Sequence, residues 1–214
     1  NEGTYRFKIS DLKTDAKVFQ YKGEADAEGV TSALKGVEFF DEAKAGRIIV
    51  WQNKAGELFV ADGHQRTGLA RRLQGEGKAP PDQEITGLLY READGVTAED
   101  ARSIAAAANI ATGTGTSTDA AKVLRTRPDL LDGTLPPNSA LVREAKGLAK
   151  LGDEAFTYRT NELIPPSHAA MVGDNFADPQ MQVIAMRAIQ RAEPANLDEA
   201  AILIERIKLA AVEK

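Results

Sequence analysis

The residues whose types and spacing best suit chemistry are Asp62, Gly63, His64, Gln65, Arg66 and Thr67. They follow the apolar run Leu58-Phe59-Val60-Ala61 and precede a segment with Leu69, Ala70 and Leu73 on one helical face. A strand that ends in Asp-Gly and turns at once into a helix aims the first N–H groups of that helix outward, where partial positive charge favours an anion. Gly63 lets the backbone turn and approach a ligand with no Cβ in the way. Arg66 adds a planar fork of donors suited to phosphate. Asp62, at the strand tip, is placed to hold a metal ion or to accept a proton from an attacking hydroxyl. The alternative from spacing alone is a ligand-free turn in which Asp62 and Arg66 pair with each other. His64 also has two readings: a donor to phosphate, or a ring that caps the helix or packs on Trp51.

The elements that must position this turn can be read on either side of it. Tyr5 to Ile9 alternates like a short strand, and Arg47–Trp51 and Glu57–Ala61 flank the hairpin punctuation Asn53-Lys54-Ala55-Gly56. Ile85 to Tyr90 reads as a further strand after Pro80-Pro81, and Thr67 to Leu73 as a helix between them. From residue 97 onward every periodic segment is helical. Thr97 with Asp100 opens Ala98–Ile110, and Ser117-Thr118-Asp119 caps a helix through Arg125. Further helices start at Asn138 (running to Leu151), at Ser167, after Asp178-Pro179, and at Asn196. The chain therefore reads as an α/β module with short strands, residues 1–112, followed by an all-helical module, residues 113–214, joined near 111–117. The Thr112-Gly113-Thr114-Gly115-Thr116 run suits an anion-facing loop or a plain linker.

Composition sets the outer limits. The 214 residues are 43% hydrophobic and 28% charged, as expected of a folded chain. No run approaches the ~18 apolar residues of a membrane span, and the expected location is the cytoplasm. With no Cys and only His64 and His168, disulfides, Cys-ligated zinc and multi-histidine metal sites are excluded. His168 reads as structural, opening a helix. The net charge of −5 argues against a wholly cationic DNA-binding surface. One local exception is Lys122 to Lys150, where Arg143, Lys146 and Lys150 share a helical face. A start at Asn1 rather than Met fits a piece of a longer chain.

Asp62-Gly63-His64-Gln65-Arg66 resembles the signature of the ParB/sulfiredoxin-like superfamily, in which Gly-x-x-Arg ends a strand and opens a helix. Partitioning ParB proteins carry Gly-Glu-Arg-Arg there; the free-serine kinases carry Asp-Gly-His-His-Arg, which is closer to this chain. Gln20-Tyr21-Lys22 stands where ParB has Gln-Pro-Arg. Asn109-Ile110 through Ala121 falls at the Glu-Asn-x-x-Arg box, and Ile164-Pro165-Pro166-Ser167-His168-Ala169 at the later His-Ala helix. The order holds over roughly residues 5–205. The most similar variant is the ParB-like domain of large polyvalent phage or mobile-element proteins, which implies a phage or plasmid setting in a bacterial host.

The resemblance implies a nucleotide site of the CTP or ATP type with magnesium. Its phosphates would be held by Gly63, His64, Gln65, Arg66 and Thr67 together with Asn109, Thr112, Gly113 and Thr114, and Gln20 and Lys22 are additional candidates. Asp62 would be the catalytic residue of a weak NTPase or phosphotransferase. Departures count against a full triphosphate clamp: Thr112 replaces the second-box Arg, Ala108 its Glu, and Gly68 a further Arg. The Thr112–Thr116 loop is expected to offer N–H and hydroxyl donors in compensation. Sulfiredoxin activity is excluded, because the catalytic Cys would fall at His64. In ParB the middle helices form a helix-turn-helix. Here Pro128, Gly133 and Pro136-Pro137 make that motif degenerate, leaving Asn138, Arg143, Lys146 and Lys150 as weak DNA-contact candidates. The other reading is a non-enzymatic DNA-binding or assembly module that keeps the fold without the ligand, and a homodimer suits either one.

Overall fold

The computed structural model describes residues 3–15, 18–19, 36–133 and 135–212. Its contacts divide the chain into two compact units, Asn1–Ala105 and Ala106–Lys214. The division falls inside one helix.

The first unit is built on a five-stranded sheet: β1 (Thr4–Lys8), β2 (Leu12–Lys13), β3 (Ile48–Gln52), β4 (Leu58–Asp62) and β5 (Glu84–Arg91), in the order β1-β5-β3-β4-β2. The β3–β4 and β1–β5 pairs are antiparallel, while β3–β5 and β2–β4 are parallel. β3 is central, and its Ile48, Ile49, Val50 and Trp51 are all buried, so the polar–apolar alternation of a half-exposed strand is absent. A short α1 (Glu42–Ala45) precedes β3, capped by the Asp41 side chain on the Ala43 and Lys44 N–H groups. The helix α2 (His64–Gly75) follows β4 directly and buries Leu69, Ala70 and Leu73. Phe7, Ile9, Leu12, Ile48, Val50, Val60, Ala70 and Ile85 form the core. Three arginines of α2 donate to backbone carbonyls of earlier segments: Arg66 to Ala45 and Arg47, Arg71 to Leu12, and Arg72 to Val37.

Two details of this unit position the turn. Ile49 faces Asp62 while Val50 faces Val60, so β4 carries one extra residue, Ala61, against β3. That bulge re-aims the end of β4, and Asp62 with it. Ile48 fills the room left by two glycines. A Cβ on Gly63 would lie 2.3 Å from its Cγ2, and one on Gly87 2.8 Å from its Cγ1.

α3 (Ala98–Ala111) crosses the division between the units. Its entry is the expected reciprocal cap: the Thr97 hydroxyl accepts from the Asp100 N–H, and the Asp100 carboxylate accepts from the Thr97 N–H. The second unit continues with α4 (Ser117–Thr126), α5 (Ala140–Ala149), α6 (Asp153–Thr160), α7 (Pro166–Asn175), α8 (Pro179–Ala192) and α9 (Leu197–Val212). Leu148, Leu151, Ile164, Met186, Ile189 and Ile204 lie in its main core. α5 and α7 cross at Gly147 and Gly173, where a Cβ on Gly173 would stand 1.9 Å from the Gly147 carbonyl oxygen. Between α4 and α5 the only helical segment among the described residues is the 3-10 turn Pro128–Leu131. An α/β module with short strands followed by helices is thus the observed class. Several boundaries differ from the sequence reading. Thr116 rather than Ser117 caps α4, in a capping box with Asp119, and Ser139 rather than Asn138 caps α5. The helix expected to run to Leu151 stops at Ala149, and the separate α6 follows. Among the described residues, no helix is long and apolar enough to cross a membrane.

Candidate functional site

β4 delivers Asp62 to the strand tip, and Gly63 then occupies the N-cap position of α2 at φ 104°, ψ 24°. Having no side chain, Gly63 leaves the helix without a capping oxygen, and the first turn holds no acidic residue. The positive end of α2 is therefore offset by no side chain of its own first turn.

Arg66 folds back over this turn. Nη1 donates to the Ala45 carbonyl at 2.8 Å and the Arg47 carbonyl at 2.7 Å, and Nη2 to Asp62 Oδ2 at 3.2 Å. Asp62 and Arg66 do pair, as one reading of the spacing has it, with side chains 21% and 28% exposed. A guanidinium has five N–H donors. Three are used here, which leaves Nε–H and one hydrogen of Nη2 with no acceptor among the described residues. Thr67 is fully buried, and its hydroxyl donates to the Gly63 carbonyl at 3.0 Å, so it ties the turn together from inside. Gln65 is half-buried in the first turn of α2.

His64 is buried, with a hydrogen bond to the Val60 backbone. Burial pushes its pKa down to about 4; Asp62 and the Val60 bond oppose that, and Arg71 adds to it. The ring is therefore neutral at pH 7 and contributes no positive charge to the turn. The sign of the pH effect follows. The unfolded ring protonates near its ordinary value of 6.5 and the folded ring near 4, so the folded state is fully favoured above 6.5 and loses stability as pH falls toward 4. The loss is expected to be roughly 2–3 kcal/mol. Denaturant midpoints measured between neutral and acidic pH for the wild type and for His64→Gln check it, the variant giving the flatter profile over that window.

The second-box candidates lie in the other unit and are described separately. The end of α3 and the loop after it fold onto one another. The N–H groups of Thr114 and Gly115 both donate to the Asn109 carbonyl, at 2.9 and 3.0 Å, and Gly113 N–H donates to Ile110. Thr112 N–H donates to Ala108, and Thr116 N–H to the Asp119 carboxylate. The hydroxyls of Thr112 and Thr114 both reach the Asn109 carbonyl at 3.1 Å. Every backbone N–H from residue 112 to 116 is thus spent within the loop and the helices it joins. An anion would reach these donors only by displacing those bonds.

Of the DNA-contact candidates, Asn138 is exposed ahead of the Ser139 cap. Arg143 and Lys146 are exposed on α5 and form no ion pair among the described residues. Lys150 pairs with Asp174 at 2.7 Å. Arg125, from the same basic stretch, pairs with Asp153 and stacks 4.4 Å over the Phe156 ring. His168 is buried in the first turn of α7. Gln20 and Lys22 lie outside the described residues. Among the described residues no group of three His, Cys, Asp or Glu side chains gathers as a metal site. Sequence reasoning missed the Ala45 and Arg47 carbonyls, because acceptors on the backbone leave no mark in residue type.

No family model matches the chain, and no curated protein does. Among the solved structures similar to it are two of the C-terminally truncated chromosome-partitioning protein ParB from Caulobacter crescentus. The one complexed to the centromeric parS site has a TM-score of 0.46 and 16% identity, covering 94% of this chain and 99% of that one. The one complexed with CTP-gamma-S has a TM-score of 0.37 and 15% identity, covering 85% and 98%.

Proposed function

We propose that the turn between β4 and α2 binds the phosphates of a nucleotide, in a ParB-like domain of a DNA-associated protein of phage or plasmid type. The observation that carries this reading is the helix start itself: Gly63 caps α2 with no side chain, and Arg66 stands over it with two donors to spare. The N–H groups of the first turn and those two donors suit phosphate oxygens. His64, buried and neutral, adds no charge to the site. Magnesium would arrive with the nucleotide, since one carboxylate plus phosphate oxygens is an ordinary set for that ion, and Asp62 is the carboxylate in reach. Asp62 would also orient the nucleophile in any phosphoryl transfer. The backbone donors of the Thr112–Thr116 loop are spent locally, and no phosphate contact is assigned to it.

Calorimetric titration with CTP, ATP and ADP in the presence of magnesium tests this. Arg66→Ala is expected to weaken binding about tenfold or more, and to lower stability by about 1–2 kcal/mol because three acceptors lose their donor. Asp62→Asn is expected to retain or tighten binding, a negative charge beside the phosphates being removed, and to abolish any turnover. If the wild type binds none of the three nucleotides, the reading is wrong.

A second reading, an assembly or DNA-associated module without ligand, is favoured by the exposed and unpaired Arg143 and Lys146 on α5. It predicts weak duplex binding that falls steeply with salt.

A further inference from the structure

The last residue of α1, Ala45, and the two that lead from it to β3, Gly46 and Arg47, are bound up with Arg66. The two outer carbonyls accept both hydrogens of one atom, Nη1 of Arg66, at 2.8 and 2.7 Å. Carbonyls two residues apart converge on one nitrogen here because the backbone between them is turned over. Gly46 makes that turn at φ 67°, ψ −175°, a combination essentially confined to glycine. Crowding is not the reason for glycine at this position. A Cβ on Gly46 would meet only Arg66 Nη1, at an ordinary 3.6 Å. Asp62 then fixes the other terminal nitrogen at 3.2 Å. The guanidinium is held at three points, and the donors left over are the ones it can offer to a ligand.

We propose that Gly46 is a positioning residue that builds a carbonyl cradle, setting the Arg66 guanidinium in place before a phosphate arrives. This rests on the phosphate-site reading of the turn. An arginine side chain that is free in solution loses rotamer freedom when it binds an anion; one already held loses little, and the difference appears as affinity. The cradle also decides which donors face the ligand: Nη1 is saturated by the protein, so phosphate is met by Nε and Nη2. A lysine at position 66 would keep the charge, but a single ammonium cannot satisfy both carbonyls and Asp62 while presenting two further donors in a plane. Gly46 itself touches no ligand.

The test combines side-chain nitrogen NMR of Arg66 with nucleotide titration of a double-mutant cycle. In the wild type the Arg66 Nη1 and Nη2 signals should be resolved by hindered rotation, and added CTP or ATP should shift Nε and Nη2 while Nη1 keeps its position. Gly46→Ala should merge the Nη signals and weaken nucleotide binding about tenfold. In an Arg66→Ala background the same change should alter affinity by less than about twofold, because its effect passes through that side chain. An Arg66 whose Nη signals average in the wild type, or a Gly46→Ala that weakens binding equally with and without Arg66, overturns the proposal. Should a variant fail to fold or bind too weakly to measure, the wild-type spectrum decides, since a nucleotide that moves Nη1 as far as Nε is incompatible with the cradle. A wild type that binds no nucleotide overturns the positioning role together with the phosphate reading. It is told apart from failure of the cradle alone by whether the Nη signals remain resolved.

Discussion

Gly173→Ala should disrupt the helical unit more than any comparable change elsewhere in that unit. The added methyl would stand 1.9 Å from the Gly147 carbonyl oxygen, and the opposing atom is backbone, which cannot rotate away as a side chain could. A Cβ on Gly147 meets the same wall, with the Ala170 carbonyl at 2.8 Å. α5 and α7 must therefore separate by more than an ångström at their closest point. That loosens the packing around Leu148, Leu151 and Val172, which lie in the same core cluster. The expected cost is about 3 kcal/mol or more, at the upper end of overpacking effects. Denaturant unfolding followed by circular dichroism measures it. Gly75→Ala is the control, because nothing lies within 4 Å of a Cβ there. Near the end of α2, that change should be neutral or stabilising by up to about 1 kcal/mol. A Gly173→Ala protein within about 1 kcal/mol of wild type would mean that the helices do not approach this closely.

Gly63→Ala should cost nearly as much in the first unit, through two separable causes. One is conformational: φ 104° is a region that L residues rarely adopt, at about 1–2 kcal/mol. The other is steric, because the new Cβ would lie 2.3 Å from Ile48 Cγ2 and 2.9 Å from its Cβ, at roughly 1–3 kcal/mol. Ile48→Ala removes Cγ2 and should abolish most of the second cost. In that background Gly63→Ala is expected to lose mainly the conformational part. The difference between the two backgrounds, read from unfolding midpoints, is the steric share. Equal costs in both would show that Ile48 does not limit the turn.

How much of this was legible in the sequence depends on where each interaction is written. The β4–turn–α2 unit was legible because its signal is local: an apolar run, Asp-Gly, then an apolar-faced segment. The Thr97–Asp100 cap and the Asp178-Pro179 start were legible for the same reason, and both formed. β2 escaped because two residues show no alternation, and α1 because one turn shows no period. α6 escaped for a different reason. It buries only Ala155 and Phe156, adjacent in sequence, so no helical stripe marks it. The Ala61 bulge was out of reach, since it depends on register against β3. The Thr112–Thr116 loop was read by composition as a set of donors. The structure shows why composition was not enough: each donor meets an acceptor within six residues, and those pairings are geometric. Arg66 was identified as a phosphate ligand or a partner of Asp62, and neither reading included the two carbonyls that hold it.

The fastening of earlier segments to α2 by Arg66, Arg71 and Arg72 bears on how the first unit opens. Peeling away the stretch around Val37 to Arg47 alone would take carbonyl acceptors from two half-buried guanidinium groups, Arg66 and Arg72, while α2 stayed folded. Releasing the strand that contains Leu12 would do the same to a third. Each partial opening therefore carries the cost of those charge-assisted hydrogen bonds, which disfavours the intermediate steps. The segment before β3, β2 and α2 then behave as a single cooperative unit in hydrogen exchange. A ligand that grips the start of α2 raises the protection of residues far from it in sequence, without touching any of them.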